Sequence, residues 1–509
     1  MLLVRPRRTR SRVVNVTLVG LLAVLAGAAW LPFLHAPLTS DEGGFLYVAY
    51  HWRPGRSLYG DQWVDRPPLL IALFGLAAHF GAGGLGMVVP AVRLLGAFAV
   101  TVSVGLAGLL ASVTAARVSP TVRWPRVAAP ILAAALLASP LLGMPETDGE
   151  ILALPFVLLS MTALVVSLDR PTGTRTMLLT ALAGAAGMAA ALVKQNIIDG
   201  LLFALVTILL TRAGLGPTLR RLAALAAGAG VTLGIVLAVA SARGTSPAGI
   251  WEATVVFRFR AAAVLATESS GSTNARFGHL LRAFAASGAA AALVVAVVLV
   301  AVTVHHRRRR RPLLWATVVT VGWELFGAAS GGSYWLHYLV ALVPGLLMLV
   351  TLAGEELRGG TDRLLRRVLV GAVLTYAVVS SGVAWAGRVA NPTSIGDDAA
   401  VISYLRTHAA AGDAVVVGFG HADIVAGSGL TSPYPDLWSL PVRVLDPRLT
   451  QLDALLDGPH APRWVVVDGA SLATWGVDAT TAQADLERHY GEQAAYGDWH
   501  LWQRNGSAS

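Results

Sequence analysis

Two adjacent carboxylates, Asp41 and Glu42, stand directly after the first hydrophobic run, and Asp61, Asp65, Arg66, Pro67 and Pro68 follow before hydrophobic sequence resumes. A second acidic group, Glu146, Asp148 and Glu150 in "ETDGE", occupies another short turn between apolar runs. Carboxylates in such places can take a proton from a hydroxyl, hold a polar ligand or coordinate a hard cation. A charge in hydrocarbon costs about 2.5 to 3.5 kcal/mol at mid-span and less toward the interface, so it marks a task or a partner. The plain alternative for any one of these acids is simple avoidance of cytoplasmic loops.

The cations are distributed unevenly. Of 39 basic residues one is a lysine, Lys194, in "ALVKQNIIDG" at the end of an apolar run. A compact, strongly hydrated ammonium among so many arginines suits a point-charge partner such as a phosphate oxygen. It reads equally as a snorkelling helix-end cation or as the partner of Asp199. "VFRFR" offers Arg258 and Arg260 between aromatic rings, in a loop of about 242 to 278, either as phosphate ligands or as anchors to anionic headgroups. In "SYWLHYLVALVP", Tyr334, Trp335 and Tyr338 suit an interfacial aromatic belt, and His337 is the less expected member. Tyr338 and His337 join the candidate phosphate site with Arg66, Lys194, Arg258 and Arg260.

These residues must be positioned by membrane helices. Hydrophobic residues make up 55% of the chain, charged ones 13%, and the mean hydropathy is +0.63, values that exclude an ordinary soluble globule. The net charge of +10 lies in short arginine clusters between apolar runs, so it reads as topology rather than nucleic-acid binding. With no cysteine, disulfide and thiol chemistry are absent. The first span, about 13 to 33, follows Arg5, Arg7, Arg8, Arg10 and Arg12 and reads as an uncleaved anchor.

Placing the N-terminus inside, the positive-inside rule puts Arg117, Arg123 and Arg126, then Arg170 and Arg175, Arg212, Arg220 and Arg221, Arg307 to Arg311, and Arg358 to Arg367 in the cytoplasm. That parity fails if residues 67 to 86 cross the membrane. We therefore expect residues 34 to 87 to form one external loop with interfacial helices, the second opened by Pro67-Pro68. About eleven spans remain: 13–33, 88–113, 127–143, 151–168, 176–193, 197–212, 219–241, 281–304, 313–330, 338–354 and 368–388. The fold class is mainly α, a polytopic transmembrane bundle. Asp41, Glu42, Asp61, Asp65, Glu146, Asp148, Glu150, Asp199, Glu252 and Glu268 then share the external face.

From residue 391 to 509 the pattern changes to short apolar strands alternating with amphipathic helices, which predicts a small extracytoplasmic α/β domain with a partly parallel sheet after the membrane domain of residues 1–390. Helices are expected in "AVISYLRTHAA", "LTQLDALLDG" and "AQADLERHYGE", and strands in "DAVVVGFG" and "RWVVVDG". "GFGHADIVAGSG", with His421 and Asp423, lacks the spacing and lysine of a phosphate loop and reads as a strand-end turn.

In order, "SDEGGFLYVAY", "VDRPPLLIALFGLAAHFG", "AVRLLGAF", "TDGEILALPF", "GMAAALVKQN" and "SYWLHYLVALVP" resemble the GT-C glycosyltransferases that use polyprenyl-phosphate sugars. The resemblance is to the branch of dolichyl-phosphate-mannose protein mannosyltransferases and lipid A aminoarabinose transferases, over about residues 10 to 390. Arg66 stands where many members of that branch carry lysine.

The resemblance implies a multi-pass cell-membrane enzyme of the cell envelope with a polyprenyl-phosphate sugar donor and a protein, glycan or lipid acceptor. It implies inverting transfer with Asp41 as base and Glu42 orienting it or holding the acceptor. Asp148 and Glu150 would bind sugar hydroxyls, orient the acceptor or substitute as base. Cationic side chains would serve the leaving phosphate, so no cofactor is expected, although a cation bridging Asp41 and Asp148 stays open. A transporter or flippase of lipid-linked glycans is the rival reading, but no internal repeat is evident and the charges collect at one face. A non-catalytic scaffold for envelope assembly is a third.

Overall fold

The computed structural model describes residues 7–80, 85–118, 124–170, 172–211, 213–267, 271–304, 311–353, 360–392 and 396–506. Of the residues used for the topology, Arg5, Arg123, Arg212, Arg307 to Arg310, Arg358 and Glu268 lie outside the described residues. The chain divides into two compact units. The first comprises residues 1–34, 93–235 and 270–391, and the second 35–92, 236–269 and 392–509, with two of the boundaries falling inside the helices Leu85–Val118 and Leu215–Ala242.

Among the described residues, eight helices are long and apolar enough to cross a membrane, and the bent pair Gly271–Ala286 and Ala289–Val302 makes a ninth if counted as one span. The two further expected spans are shorter helices, Pro125–Leu137 and Asp199–Leu210. Nine of the eleven expected spans thus have a helix or bent pair of spanning length, the other two fall on the shorter helices, and the protein is a multi-pass membrane protein, mainly helical. Only 17% of the apolar window of Leu215–Ala242 is buried, with Val231, Ile235 and Val239 turned outward, as a lipid-facing helix requires.

Small residues bring helices of the first unit close together. A methyl at Gly187 would meet Leu201 at 2.8 Å, and one at Gly200 would meet Ser160 at 2.7 Å. The Ser160 hydroxyl donates to the Ala183 carbonyl at 2.7 Å. Gly149–Ser167, Thr174–Val193 and Asp199–Leu210 therefore pack backbone to backbone, the contact that small residues permit where lipid offers no hydrophobic drive.

In the second unit Thr39 opens the helix Ser40–His51, and Pro67 opens Pro68–His79 with Pro68 at its first turn, where a missing N–H costs nothing. The twelve residues of Pro68–His79 reach about 18 Å at 1.5 Å each, the same length as Asp199–Leu210. Leu70, Ile71 and Phe74 are fully buried, and Phe74 meets Phe45 edge-on at 5.4 Å, while Leu76 and Phe80 are 57% and 70% exposed. One apolar face is packed and another is left for an apolar surrounding.

The C-terminal residues build a four-stranded sheet in the order β1-β2-β4-β3, with β1 Val415–Val417, β2 Trp464–Asp468, β3 Tyr490–Tyr496 and β4 Trp499–Arg504. β1 and β2 are parallel; β4 runs antiparallel to both β2 and β3. Val416, Val465, Leu452, Leu456 and Leu486 form its core with Tyr434 and Tyr490. The helices Gly396–His408, Thr450–Asp457 and Thr480–His489 fall where the pattern puts them.

Three details differ from the sequence reading. The last helix stops at His489, because Tyr490 is buried and its backbone pairs with Arg504 to start a hairpin. Residues after Gly420 form the helix Ala422–Ser428 rather than only a turn. The loop expected over 242–278 is largely helical: Pro247–Trp251, a π-helical turn Glu252–Val256, Phe257–Thr267 and the start of Gly271–Ala286.

Candidate functional site

The second unit holds Asp41, Glu42, Arg66, Arg258 and Arg260. Thr39 and Glu42 make a reciprocal cap on Ser40–His51: the Glu42 N–H donates to the Thr39 hydroxyl, and Glu42 Oε2 accepts from the Thr39 N–H at 2.9 Å. Glu42 is fully buried, so its carboxylate fixes the helix start from which Asp41 projects. Asp41 Oδ1 accepts from the Trp438 indole at 2.9 Å.

Asp65 is shared by two guanidinium groups, those of Arg66 and Arg258. The pair of guanidinium groups stands where Pro68–His79 begins, at the positive end of that helix's dipole. The Tyr59 hydroxyl donates to the Arg66 carbonyl at 3.0 Å, and Trp63 meets Phe257 at 5.7 Å, packing the segment before Pro67 onto the helix that carries Arg258. Arg260, two residues on, cannot share that face, and it pairs with Glu252 at 2.9 Å in an exposed ion pair of little energetic worth.

The first unit holds Asp148, Glu150, Lys194, His337 and Tyr338. Asp148 is the N-cap of Gly149–Ser167, accepting from the Ile151 N–H at 2.9 Å, which places Glu150 in the first turn. Lys194 ends Thr174–Val193 and pairs with Glu150, not with Asp199; its ammonium also lies 5.0 Å over the Tyr338 ring. His337 Nδ1 stands 3.3 Å from both Glu146 and Asp148. Burial raises the Asp148 carboxyl above the ordinary range, with the neighbouring His337 acting against it. Three carboxylates, an ammonium and an imidazole are thus gathered in one buried group, with the Arg93 guanidinium on the adjoining Pro145 carbonyl at 2.9 Å.

Glu146, Asp148 and His337 each present a ligand atom, all within 4.8 Å of one another, as do Asp398, His421 and Asp423 in the second unit. Two carboxylates and an imidazole suit a divalent ion of intermediate hardness. In the second of these clusters, the hydrogen bond from His421 holds the Asp398 carboxyl below its usual value, and burial pushes that of Asp423 up to about 6.

Sequence reasoning missed two features. Trp438 gave no signal, because its hydrogen bond to Asp41 joins positions 397 residues apart. Glu324, 2% exposed in Arg311–Ser330, accepts from the Gly345 N–H at 2.9 Å. A lone acid in an apolar helix was its visible mark.

No family model and no curated protein matches the chain. Its fold is similar to solved membrane glycosyltransferases. ArnT from Cupriavidus metallidurans, bound to undecaprenyl phosphate, superimposes with a TM-score of 0.58 at 14% identity, over 96% of this chain and 98% of ArnT. Archaeal oligosaccharyltransferase AglB from Archaeoglobus fulgidus, in complex with an inhibitory peptide and a dolichol-phosphate, gives 0.52 at 10% identity over 99% of this chain and 75% of AglB. The arabinofuranosyltransferase AftD from Mycobacteria gives 0.50 at 16% identity over 96% of this chain and 40% of AftD. The chain therefore has the GT-C fold that its sequence motifs resemble.

Proposed function

We propose that the protein is a membrane glycosyltransferase that moves one sugar from a polyprenyl-phosphate-linked donor to an acceptor on the extracytoplasmic face, with inversion at the sugar carbon. The observation that carries this reading is the second unit's pairing of functions: one carboxylate, Asp41, on a capped helix start, and two guanidinium groups, Arg66 and Arg258, gathered on Asp65 at another. The GT-C fold agrees with it, since ArnT and AglB have each been solved with a polyprenyl phosphate or dolichol-phosphate bound.

In the step, Asp41 takes the acceptor hydroxyl proton as the acceptor oxygen bonds to the sugar carbon. The bond from that carbon to the phosphate oxygen breaks, and the electron pair leaves with the lipid phosphate. Arg66 and Arg258 stabilise the charge that grows there, the role a metal plays for other leaving groups. Glu42 acts through the helix cap. In the first unit Asp148 and Glu150, with Lys194, His337 and Tyr338, serve as polar ligands for donor or acceptor, and Lys194, with three N–H donors, keeps Glu150 as one partner. The C-terminal residues assist acceptor choice. The positive-inside arginines put the N-terminus in the cytoplasm and residues 391–509 outside.

The test is turnover of a polyprenyl-phosphate donor carrying a radiolabelled sugar, in liposomes with an envelope extract as acceptor. Label should leave the lipid with the wild type and remain on it with Asp41→Asn. Equal turnover by the two removes Asp41 from the chemistry.

A further inference from the structure

The start of Ser40–His51 is tied to the C-terminal residues at several points within the second unit. The Ser40 hydroxyl donates to the Gly420 carbonyl and accepts from the Ala422 N–H, the latter at 3.2 Å. A methyl at Gly43 would meet the Asp423 Cα at 2.5 Å, and one at Gly44 would run into the Trp438 ring, so both glycines exist for close approach. Trp438 also packs on Phe45, with ring centroids 5.7 Å apart, and immediately precedes the helix Ser439–Leu445. Its indole N–H reaches Asp41 Oδ1.

An indole is a rigid donor with no acceptor capacity. Clamped between Phe45 and Gly44, it can only donate, and it favours the ionised carboxylate over the protonated one. A general base must be ionised and correctly aimed when the acceptor hydroxyl arrives.

We propose that Trp438 is a positioning residue for Asp41, so that the C-terminal residues complete the catalytic base rather than only covering it. This rests on the proposed role of Asp41. Trp438 touches neither donor nor acceptor; it holds the carboxylate plane and keeps it charged. The other charged or titratable groups on the elements around this helix start are Glu42 on the helix itself, Asp423 and His421 at Ala422–Ser428, Arg66 and His79 at Pro68–His79, and Arg443 on Ser439–Leu445.

The experiment compares wild type, Trp438→Phe and a variant with benzothienylalanine at 438, which keeps the ring shape and lacks only the N–H. Each is purified whole and assayed for transfer across pH. Removing the N–H should lower kcat roughly tenfold, leave the donor KM within about twofold, and move the acid limb of kcat/KM upward by about half to one pH unit. The shift must survive in an Asp423→Asn background, which removes the carboxyl that Ala422–Ser428 brings to this helix start. Ser40→Ala, which loosens the same helix start but keeps the indole N–H, should leave the acid limb in place. An unchanged acid limb and kcat in the benzothienylalanine variant overturn the proposal, as does an equal shift in Ser40→Ala. Absence of transfer by the wild type, or full transfer by Asp41→Asn, instead refutes the reading of Asp41 as base.

Discussion

Replacing Lys194 with methionine should destabilise the protein strongly, and the structure sets the scale. The side chains of Lys194 and Glu150 are 10% and 3% exposed, and their charged groups are in direct hydrogen-bonding contact. At an effective dielectric near 20, unit charges about 4 Å apart attract by about 4 kcal/mol. Breaking such a buried pair from one side costs about 3 to 5 kcal/mol, because the remaining charge is left uncompensated. Lys194→Met combined with Glu150→Gln removes both charges and should recover most of the loss. Reversible unfolding in mixed micelles of all four members of the cycle gives the coupling energy directly. A coupling below about 1 kcal/mol, or a single variant as stable as wild type, would refute the reasoning.

Thr39→Ala removes the hydroxyl half of the cap on Ser40–His51 and should cost about 1 kcal/mol, with a larger proportional loss of transfer than of stability; urea titration beside a transfer assay checks it. Gly43→Ala forces the Asp423 backbone away and should destabilise by about 1 to 3 kcal/mol, read as a lowered unfolding midpoint. Asp436, 2% exposed, has its carboxyl pushed up to about 7 by burial and by Asp446. A folded value above the unfolded one gives stability that is full below about pH 4 and lost as pH rises through about 7, so Asp436→Asn should match wild type at pH 4 and exceed it at pH 8 by up to about 4 kcal/mol. Transfer should persist in excess EDTA, because arginines rather than a metal serve the leaving phosphate; loss of activity restored by a divalent ion would move that role to a metal.

Much of the fold was legible because its determinants are local. Apolar runs mark spans whatever they pack against, and nine of them carry a helix or bent pair of spanning length among the described residues. The strands Val415–Val417 and Trp464–Asp468 were visible as unbroken β-branched runs, as buried parallel strands are. Less legible was the hairpin after His489, since "YGEQAAY" continues a helical pattern and becomes a strand only through pairing with Trp499–Arg504. Partners of the site residues were hidden for the same reason. Nothing near Lys194 in sequence says that Glu150 rather than Asp199 holds it, and nothing near Asp41 names Trp438. The π-helical turn Glu252–Val256, which sets where Arg258 and Arg260 point, leaves no pattern in the residues themselves.

The central claim is a division of labour in the second unit, with Asp41 moving the proton and Arg66 with Arg258 holding the phosphate. Measuring donor Kd and transfer rate on the same preparations tests it most directly. Asp41→Asn should bind the polyprenyl-phosphate donor as the wild type does while transfer falls by about 100-fold or more, and Arg258→Gln should weaken donor binding. Transfer by Asp41→Asn at the wild-type rate, or donor binding indifferent to Arg66→Gln and Arg258→Gln together, would contradict it.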